Sequence, residues 1–531
     1  MTSDINNVQA SESDLAIVYK SYFEGNFKEA LLTLDKLTHD FPNDPILYIV
    51  GGDCYVPLNQ YERAISCYEE AIKLSPDNIK AYIKKIDVLR LNGDLEKSLL
   101  ACSQALKISP NNADLYFYQA NVFSDKFEFK KALDSYDKSI KLNSKNADAF
   151  CNKANTLENL GEFDEAIIAA KNAIKIKPDF SLAFFNLGVA AMQSRNFNLS
   201  KNSFDKAIKL EPNFAKYKFA KATLLLLFGD FKKGWNLFES RWDLEKLYSP
   251  KLKTNRQEWD GSRKCKLLVW GEQGVGDQVM YSGLFNELNK KCESFVVQVE
   301  PRLITLLNRS FGHLCSFYPD NKSVPVDYDE HIAMGSLCKY FRNEEKDFDS
   351  SRFGFLKDDE FKTAEIKKDI LSLIPNENKI CGISWRSASP KTGIRKTLSL
   401  KKFIQMLALD GYSFLNLQYG DTKNEIKEVK KELGIDIISY EKVDNFNDID
   451  GLTSLIQVCD SVVSVDNITC QLSGALGKEV HVLVTYGSWW GWMVNRNDSP
   501  WYDSVKLYRQ EENVAWTDLF KKIKKNLQKL N

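Results

Sequence analysis

Prolines in the first half of the chain fall on one 34-residue ladder: Pro42, Pro76, Pro110, Pro178 and Pro212, with Ser144 on the missing rung. Each follows an apolar helix ending such as Ala-Ile-Lys-Leu-Ser, where a proline stops the helix. Small residues recur at a second phase, at Ala30, Ala64, Ser98, Ala132, Ala166, Ser200 and Gly234, and again seven residues later at Ala71, Ala105, Ser139, Ala173 and Ala207. Aromatics hold a third phase at Tyr48, Tyr82, Tyr116, Phe150 and Phe184, and glycines a fourth at Gly25, Gly93, Gly161 and Gly229. A unit this short cannot bury a core alone, so it must stack on its neighbours. Small positions let paired helices approach, aromatics fill the space between pairs, and glycine ends the first helix of each pair.

This pattern resembles the tetratricopeptide repeat over residues 11–245, preceded by a disordered N-terminus at 1–10. The resemblance implies a superhelix of about seven helical pairs with a concave groove for a peptide or protein partner; a rigid spacer is the plainer alternative. Asn121, Asn152, Asn155 and Asn186 fall at first-helix phases expected to face that groove. Side-chain amides bond an extended backbone whatever its sequence. A similar asparagine ladder is a feature of the repeat-bearing O-GlcNAc transferases, although asparagine is common throughout this chain.

Lysine plus arginine (72) balance aspartate plus glutamate (72), which gives no global signal for nucleic acid. No basic-then-apolar leader opens the sequence, and the apolar run at Leu224-Phe228 is too short to span a bilayer. Eleven cysteines without a CxxC pair read as reduced core residues of a cytoplasmic protein. Four histidines off metal-ligand spacing predict no zinc site.

After a polar linker at 246–264 the period changes to strands alternating with helices, which predicts parallel sheets. Two such stretches, 265–376 and 377–531, meet at a break around Pro375-Asn-Glu-Asn378. The fold class read from the chain is therefore an α-helical repeat superhelix followed by two Rossmann-like α/β domains in the glycosyltransferase B layout.

Three segments carry candidate chemistry. The first follows the strand Lys266–Trp270: an acceptor-side loop with Glu272, Gln273, Gly274 and Gly276, then Asp277 at the start of a helix. The dinucleotide fingerprint would need glycine where Val279 stands, although Glu300 occupies the place of a ribose-binding acid. An aspartate at 277 repels a pyrophosphate but suits removal of a proton from a hydroxyl; capping the helix is the equal alternative. The second follows Lys379–Trp385, where Arg386, Lys391, Arg395 and Lys396 suit a diphosphate or form a solvated loop, with Gln418 ending the next strand at the same edge. In the third, the strand Ser461-Val465 delivers Asp466, Asn467, Thr469 and Gln471 to a helix N-terminus suited to phosphate. Asp448 and Asp450 have the spacing of a metal-dependent sugar transferase, but they open a helix and read as a cap. The aromatics Trp489, Trp490, Trp492, Trp501 and Tyr502 shape a sugar or base pocket, or pack loops.

Together these segments resemble the bacterial tetratricopeptide-repeat proteins whose C-terminal part is similar to glycosyltransferase family 9, the heptosyltransferases. The matching residues are Gly234-Trp235, Glu239-Ser-Arg-Trp242, Glu258-Trp-Asp-Gly261, Trp270 to Asp277, Gly382-Ile-Ser-Trp385, Val465-Asp466, Gly474-Ala-Leu-Gly477, Ser499-Pro-Trp-Tyr502 and Tyr508-Arg-Gln510. The resemblance implies inverting, metal-independent transfer from a nucleotide-sugar donor, with no cofactor and Asp277 as catalytic base. Lys391 or Lys396 falls at its phosphate cation, and Asp466 in its donor loop. The chain departs from the family where histidine is usual at Gln471, threonine at Asn467 and arginine at Gly491. The alternative is a repeat scaffold with an inactive transferase domain.

Overall fold

The computed structural model describes residues 9–244, 250–349, 352–375, 377–387, 396–485, 489–510 and 516–529. Lys391 and Arg395, most of the N-terminus expected to be disordered, and 246–249 of the expected linker lie outside the described residues. The chain divides into two compact units, one ending at Leu187 and the other beginning at Gly188.

The first unit consists of antiparallel helical hairpins. Their second helices begin at Phe27, Tyr61, Leu95, Phe129 and Phe163, all 34 residues apart. The turns after the first four of these helices lead to an Asx cap: Asp44, Asn78, Asn112 and Asn146 each accept from a backbone N–H of the next helix. The small positions are buried completely, from Ala30 and Ala64 to Ala166 and Ala173. At Ser98, where serine replaces alanine, the hydroxyl reaches the Ile86 carbonyl across the hairpin at 2.7 Å. Gly52 is small for a neighbouring reason: an added Cβ would lie 2.4 Å from the Tyr68 ring.

Two features alternate along the array. The residue ending each first helix is left-handed at 34-residue spacing, but only every second one is glycine: Gly25, Asn59, Gly93, Phe127, Gly161, Arg195 and Gly229 all have φ between 56° and 86°. Ion pairs between neighbouring hairpins, from the second helix of one to the first helix of the next, follow the same rhythm, with Lys85–Glu69, Lys153–Asp137 and Lys221–Asp205.

The second unit begins with the helices Phe197–Leu210, Ala215–Leu227 and Phe231–Phe238 and continues into two parallel sheets. The first sheet has the order β1-β5-β2-β3-β4, with β1 Gln257–Glu258, β2 Lys266–Trp270, β3 Ser294–Val299, β4 Ser316–Pro319 and β5 Glu330–Ala333. β1 falls inside the segment read as a linker; it pairs with β5 through Glu258 and His331. The second sheet has the order β11-β10-β9-β6-β7-β8, with β6 Lys379–Ser384, β7 Tyr412–Asn416, β8 Ile437–Ile438, β9 Ser461–Val465, β10 Val480–Val484 and β11 Val505–Arg509. Both sheets are wound outward from one strand, β2 or β6, with the later strand β5 or β9 returning on its other side. Such a reversal leaves a crevice at the carboxyl ends of those two strands.

The halves share one apolar core. It runs from Trp235 and Phe238 of the last hairpin, through Val269, Phe285 and Val297, to Val462, Val480 and Trp492. The helix Glu360–Leu371, in the segment read as part of the first half, packs Ile366 and Ile370 in this core near Leu452 and Leu455 of the helix Ile449–Val458. Among the described residues, no helix is long and apolar enough to cross a membrane.

An added Cβ at Gly93, where φ is +86°, would meet nothing within 4 Å, so alanine there tests backbone conformation alone. Gly93→Ala is expected to lower the stability of the repeats by about 1 kcal/mol, measured as a lower urea midpoint with an unchanged slope.

Candidate functional site

The loop after β2 is built backwards from its packing. Gly271 donates to the Gln298 carbonyl at 2.7 Å, and the Gln278 side chain folds over it to accept from Glu300 N–H, leaving no room for a Cβ. Gln273 takes a left-handed φ of 61° to turn the chain. Gly274 then opens the helix Val275–Ser282, and Asp277 in its first turn accepts from Gly274 N–H at 3.1 Å. Thus the capping alternative for Asp277 holds, with one carboxylate oxygen.

Glu272, placed on the acceptor side by sequence, is held inward. It is buried and receives Arg241 through two bonds, Nε to Oε2 at 2.7 Å and Nη2 to Oε1 at 2.6 Å. Gly335 N–H, just after β5, donates to the same carboxylate. Arg241 also reaches Glu239 and Ser336 and lies over the Trp242 ring. Burial works against this cation, but Glu272 and Glu239 outweigh it and hold the guanidinium charged. The loops at both sides of the first crevice are therefore fixed by an arginine from the end of the helical hairpins. The spacing of Glu239-Ser-Arg-Trp242 and Gly271-Glu272 in sequence gave no signal for that pairing.

In the second crevice, β9 presents Asp466. Its carboxylate accepts from Lys396 Nζ at 2.5 Å and from Trp492 Nε1 at 2.9 Å. Asn467 caps the helix Ile468–Ala475 through Thr469 N–H, and its Nδ2 donates to Ser384 Oγ and the Arg386 carbonyl, tying β9 to β6. Gln418 does similar work from β7: its Oε1 accepts from Ser384 Oγ and from the N–H groups of Trp385 and Arg386. The Arg386 guanidinium is turned to Glu425 and the Asp421 carbonyl. Gln471 accepts from Tyr502 OH at 2.8 Å. The Thr469 hydroxyl is buried and makes no bond among the described residues.

The two crevices meet. A Cβ on Gly276 would lie 3.4 Å from Gln471 Cγ and 3.6 Å from Ile468 Cδ1, so the two helix N-termini nearly touch, and glycine permits it. Asp277 is half-buried there, with its carboxyl pushed up to about 6. Burial is the main cause, opposed by the Gly274 N–H and reinforced by the charges of Glu272 and Asp466. A carboxyl near neutral pKa beside a cation-held partner is suited to moving a proton.

Asp448 accepts from Gly451 N–H and Lys362, and Asp450 is gripped by Arg309, so both carboxylates are engaged as a cap and an ion pair. Trp490 packs edge-on against Trp235 and Phe238, while Trp501 meets Phe348, so these rings join the halves to the last hairpin. In the first unit, Asn121 Oδ1 accepts from Tyr136 OH and Asn152 Nδ2, and Asn186 Nδ2 donates to the Cys151 carbonyl. Those bonds stitch helices together and engage one atom of each amide, Asn121 Oδ1 and the Nδ2 of Asn152 and Asn186; Asn155 is exposed.

Models of the tetratricopeptide repeat match residues 52–85, 147–180 and 182–214. The chain contains tetratricopeptide repeats. It is 29% identical over 318 residues to Protein FlbA of Caulobacter vibrioides, covering 56% of this chain and 52% of that protein. The chain thus spans about half the length of this relative. Among solved structures, it is similar to MamA (25% identity, 31% of this chain, 97% of that one, TM-score 0.28). It is also similar to YrrB, described as a TPR protein with an unusual peptide-binding site (25% identity, 35% and 97%, TM-score 0.29). A third is Cut9–Hcn1 (15% identity, 42% and 44%, TM-score 0.38).

Two stability measurements probe the site. Arg241→Met strands Glu272 in the core and is expected to cost about 3–5 kcal/mol, read as a fall in denaturation midpoint. The Asp277 pKa of about 6 lies above that of an unfolded aspartate, so its charge opposes folding above that pH and protonation relieves it below. Asp277→Asn should therefore melt higher than the parent at about pH 8, with the gap closing as pH falls toward about 4.

Proposed function

We propose that the chain is an inverting, metal-independent glycosyltransferase with two Rossmann-like halves in the B-type layout. The reading rests on one observation: Asp277, its carboxyl raised to about 6, stands where the crevice of the first sheet meets the Lys396–Asp466 pair and Thr469 of the second. The resemblance to glycosyltransferase family 9 puts a catalytic base and a donor loop at these same positions.

In this mechanism Asp277 takes the proton from an acceptor hydroxyl. The oxygen attacks the anomeric carbon of a nucleotide-sugar as the bond to the diphosphate breaks. The electron pair leaves with the diphosphate, whose growing charge is met by Lys396 and by the N-terminus of the helix after Asp466. Because Asp448 and Asp450 are committed elsewhere, this charge falls to protein cations and dipoles. The repeats would present a protein or peptide acceptor, which agrees with their use as interaction modules.

A second reading, a repeat scaffold with a transferase half that no longer turns over, is favoured by the internal commitments of Arg386, Gln418, Asn467 and Gln471. Thermal-shift titration with UDP-, GDP- and ADP-sugars separates the two. A donor at 100 times its dissociation constant adds about 2.7 kcal/mol, and no shift with any donor favours the scaffold. With the donor found, Asp277→Asn is expected to lower kcat by about 10²–10⁴, and the parent kcat/KM should fall below a pH of about 6 as the base protonates. Unchanged turnover in the variant would refute the mechanism.

A further inference from the structure

A second recess lies at the outer edge of the second sheet, and none of the residues assigned to transfer lines it. It has a volume of about 640 Å³ and is bounded by β11, the segment 495–497 that covers this edge strand, the tail helix Trp516–Gln528 and Arg195 from the turn before Phe197–Leu210. Seven of its lining residues are lysine or arginine and none is acidic, in a chain whose charges balance as a whole. We propose that this recess binds a compact phosphorylated group carrying at least two negative charges.

Several observations support it. The tail helix turns Leu519, Phe520, Ile523 and Leu527 into the core, which leaves Lys522 and Lys525, three residues apart, at the rim. Neither lysine forms an ion pair among the described residues. The Arg509 guanidinium, deeper in, donates to the backbone carbonyls of Arg496 and Trp492. Its pKa is lowered to about 10, first by burial and then by the positive charges of Arg195 and Arg496. The carboxylates nearby are already shared out: Asp498 and Glu345 hold Arg496, and Glu479 holds Lys506. Cations crowded to the point of opposing one another's charge gain most from a multivalent anion, and phosphate oxygens accept several charge-assisted bonds at once. Tyr508 and Asn526 also line the recess, and Tyr508 OH bonds both Asn526 and His481, which holds this part of the wall in place. The volume is that of a small-ligand pocket, which sets it apart from a flat polyanion-binding face.

Arg195 supplies a clean probe. It occupies the left-handed turn position, φ 59°, where alternate repeats carry glycine, so Arg195→Gly removes a cation while easing the backbone. Titration calorimetry with sodium tripolyphosphate is best run on the full chain carrying Lys396→Ala. That change disables the proposed donor loop, so failure of the transferase reading leaves this test intact. One saturable site is expected, weakened about tenfold by Arg195→Gly and by Lys522→Glu with Lys525→Glu. Sedimentation with phosphatidylglycerol vesicles reads the other source of the same chemistry. Vesicle binding that depends on these residues assigns a lipid headgroup, and tripolyphosphate binding without it assigns a soluble ligand. Affinity that none of these variants changes, or a glutamate oligomer bound as tightly as tripolyphosphate, overturns the proposal.

Discussion

The second unit depends on Arg241. A fully buried guanidinium is costly unless every donor is met, and here Glu272, Glu239, Ser336 and the Phe238 carbonyl meet it. Because Glu272 also receives Gly335 N–H, one cation fixes the loops leaving both β2 and β5. The helical hairpin that ends in Arg241 is therefore part of the α/β body. Its ring contacts with Trp490 extend the same arrangement to the second sheet. A crevice whose walls are set this way is pre-organised, and charge placed in it is not free to relax toward water.

That rigidity explains the electrostatics of Asp277. Glu272 cannot swing away, Asp466 is held by Lys396 and Trp492, and the helix N-terminus offers one N–H against them. The carboxyl therefore carries the cost of burial together with two like charges, and the result is a group that titrates near neutrality. The same fixed geometry makes the exposed side of the site sparse. Most of the polar residues near it hold backbone in place; among the described residues Thr469 and Tyr281 are exceptions, each with a buried, unengaged hydroxyl.

What the sequence made legible follows from the range of each interaction. The repeats were plain because helix ends, small contacts and turns all recur locally, and the strands from Lys266 to Val484 showed as short apolar runs between helices. Asp448 read correctly as a cap, since capping spans three residues. Pairings across long separations left no trace: Arg241 with Glu272, Asn467 with Ser384, Gln418 with the β6 loop. Residues chosen there as ligand contacts are in part the scaffolding of the site. The edge strand β11 went unread because it carries Lys506 and Arg509 among its apolar residues and follows an aromatic loop. The helix read as starting at Asp277 is followed by a second, Phe285–Lys291, with a break near Gly283, where a Cβ would meet Phe355 at 2.9 Å. The asparagines at repeat phase were correctly placed along the helices, but phase does not reveal which neighbour a side chain has already found.

The alternation along the hairpins sets the step by which the array can change length without changing its interfaces. Geometry repeats every hairpin, but chemistry repeats every second one: glycine turns at Gly25, Gly93, Gly161 and Gly229, and Lys–carboxylate pairs at Lys85, Lys153 and Lys221. Two hairpins, and not one, are therefore the chemical unit of this array. Adding or removing two keeps each face against a like neighbour, whereas a step of one sets unlike faces together.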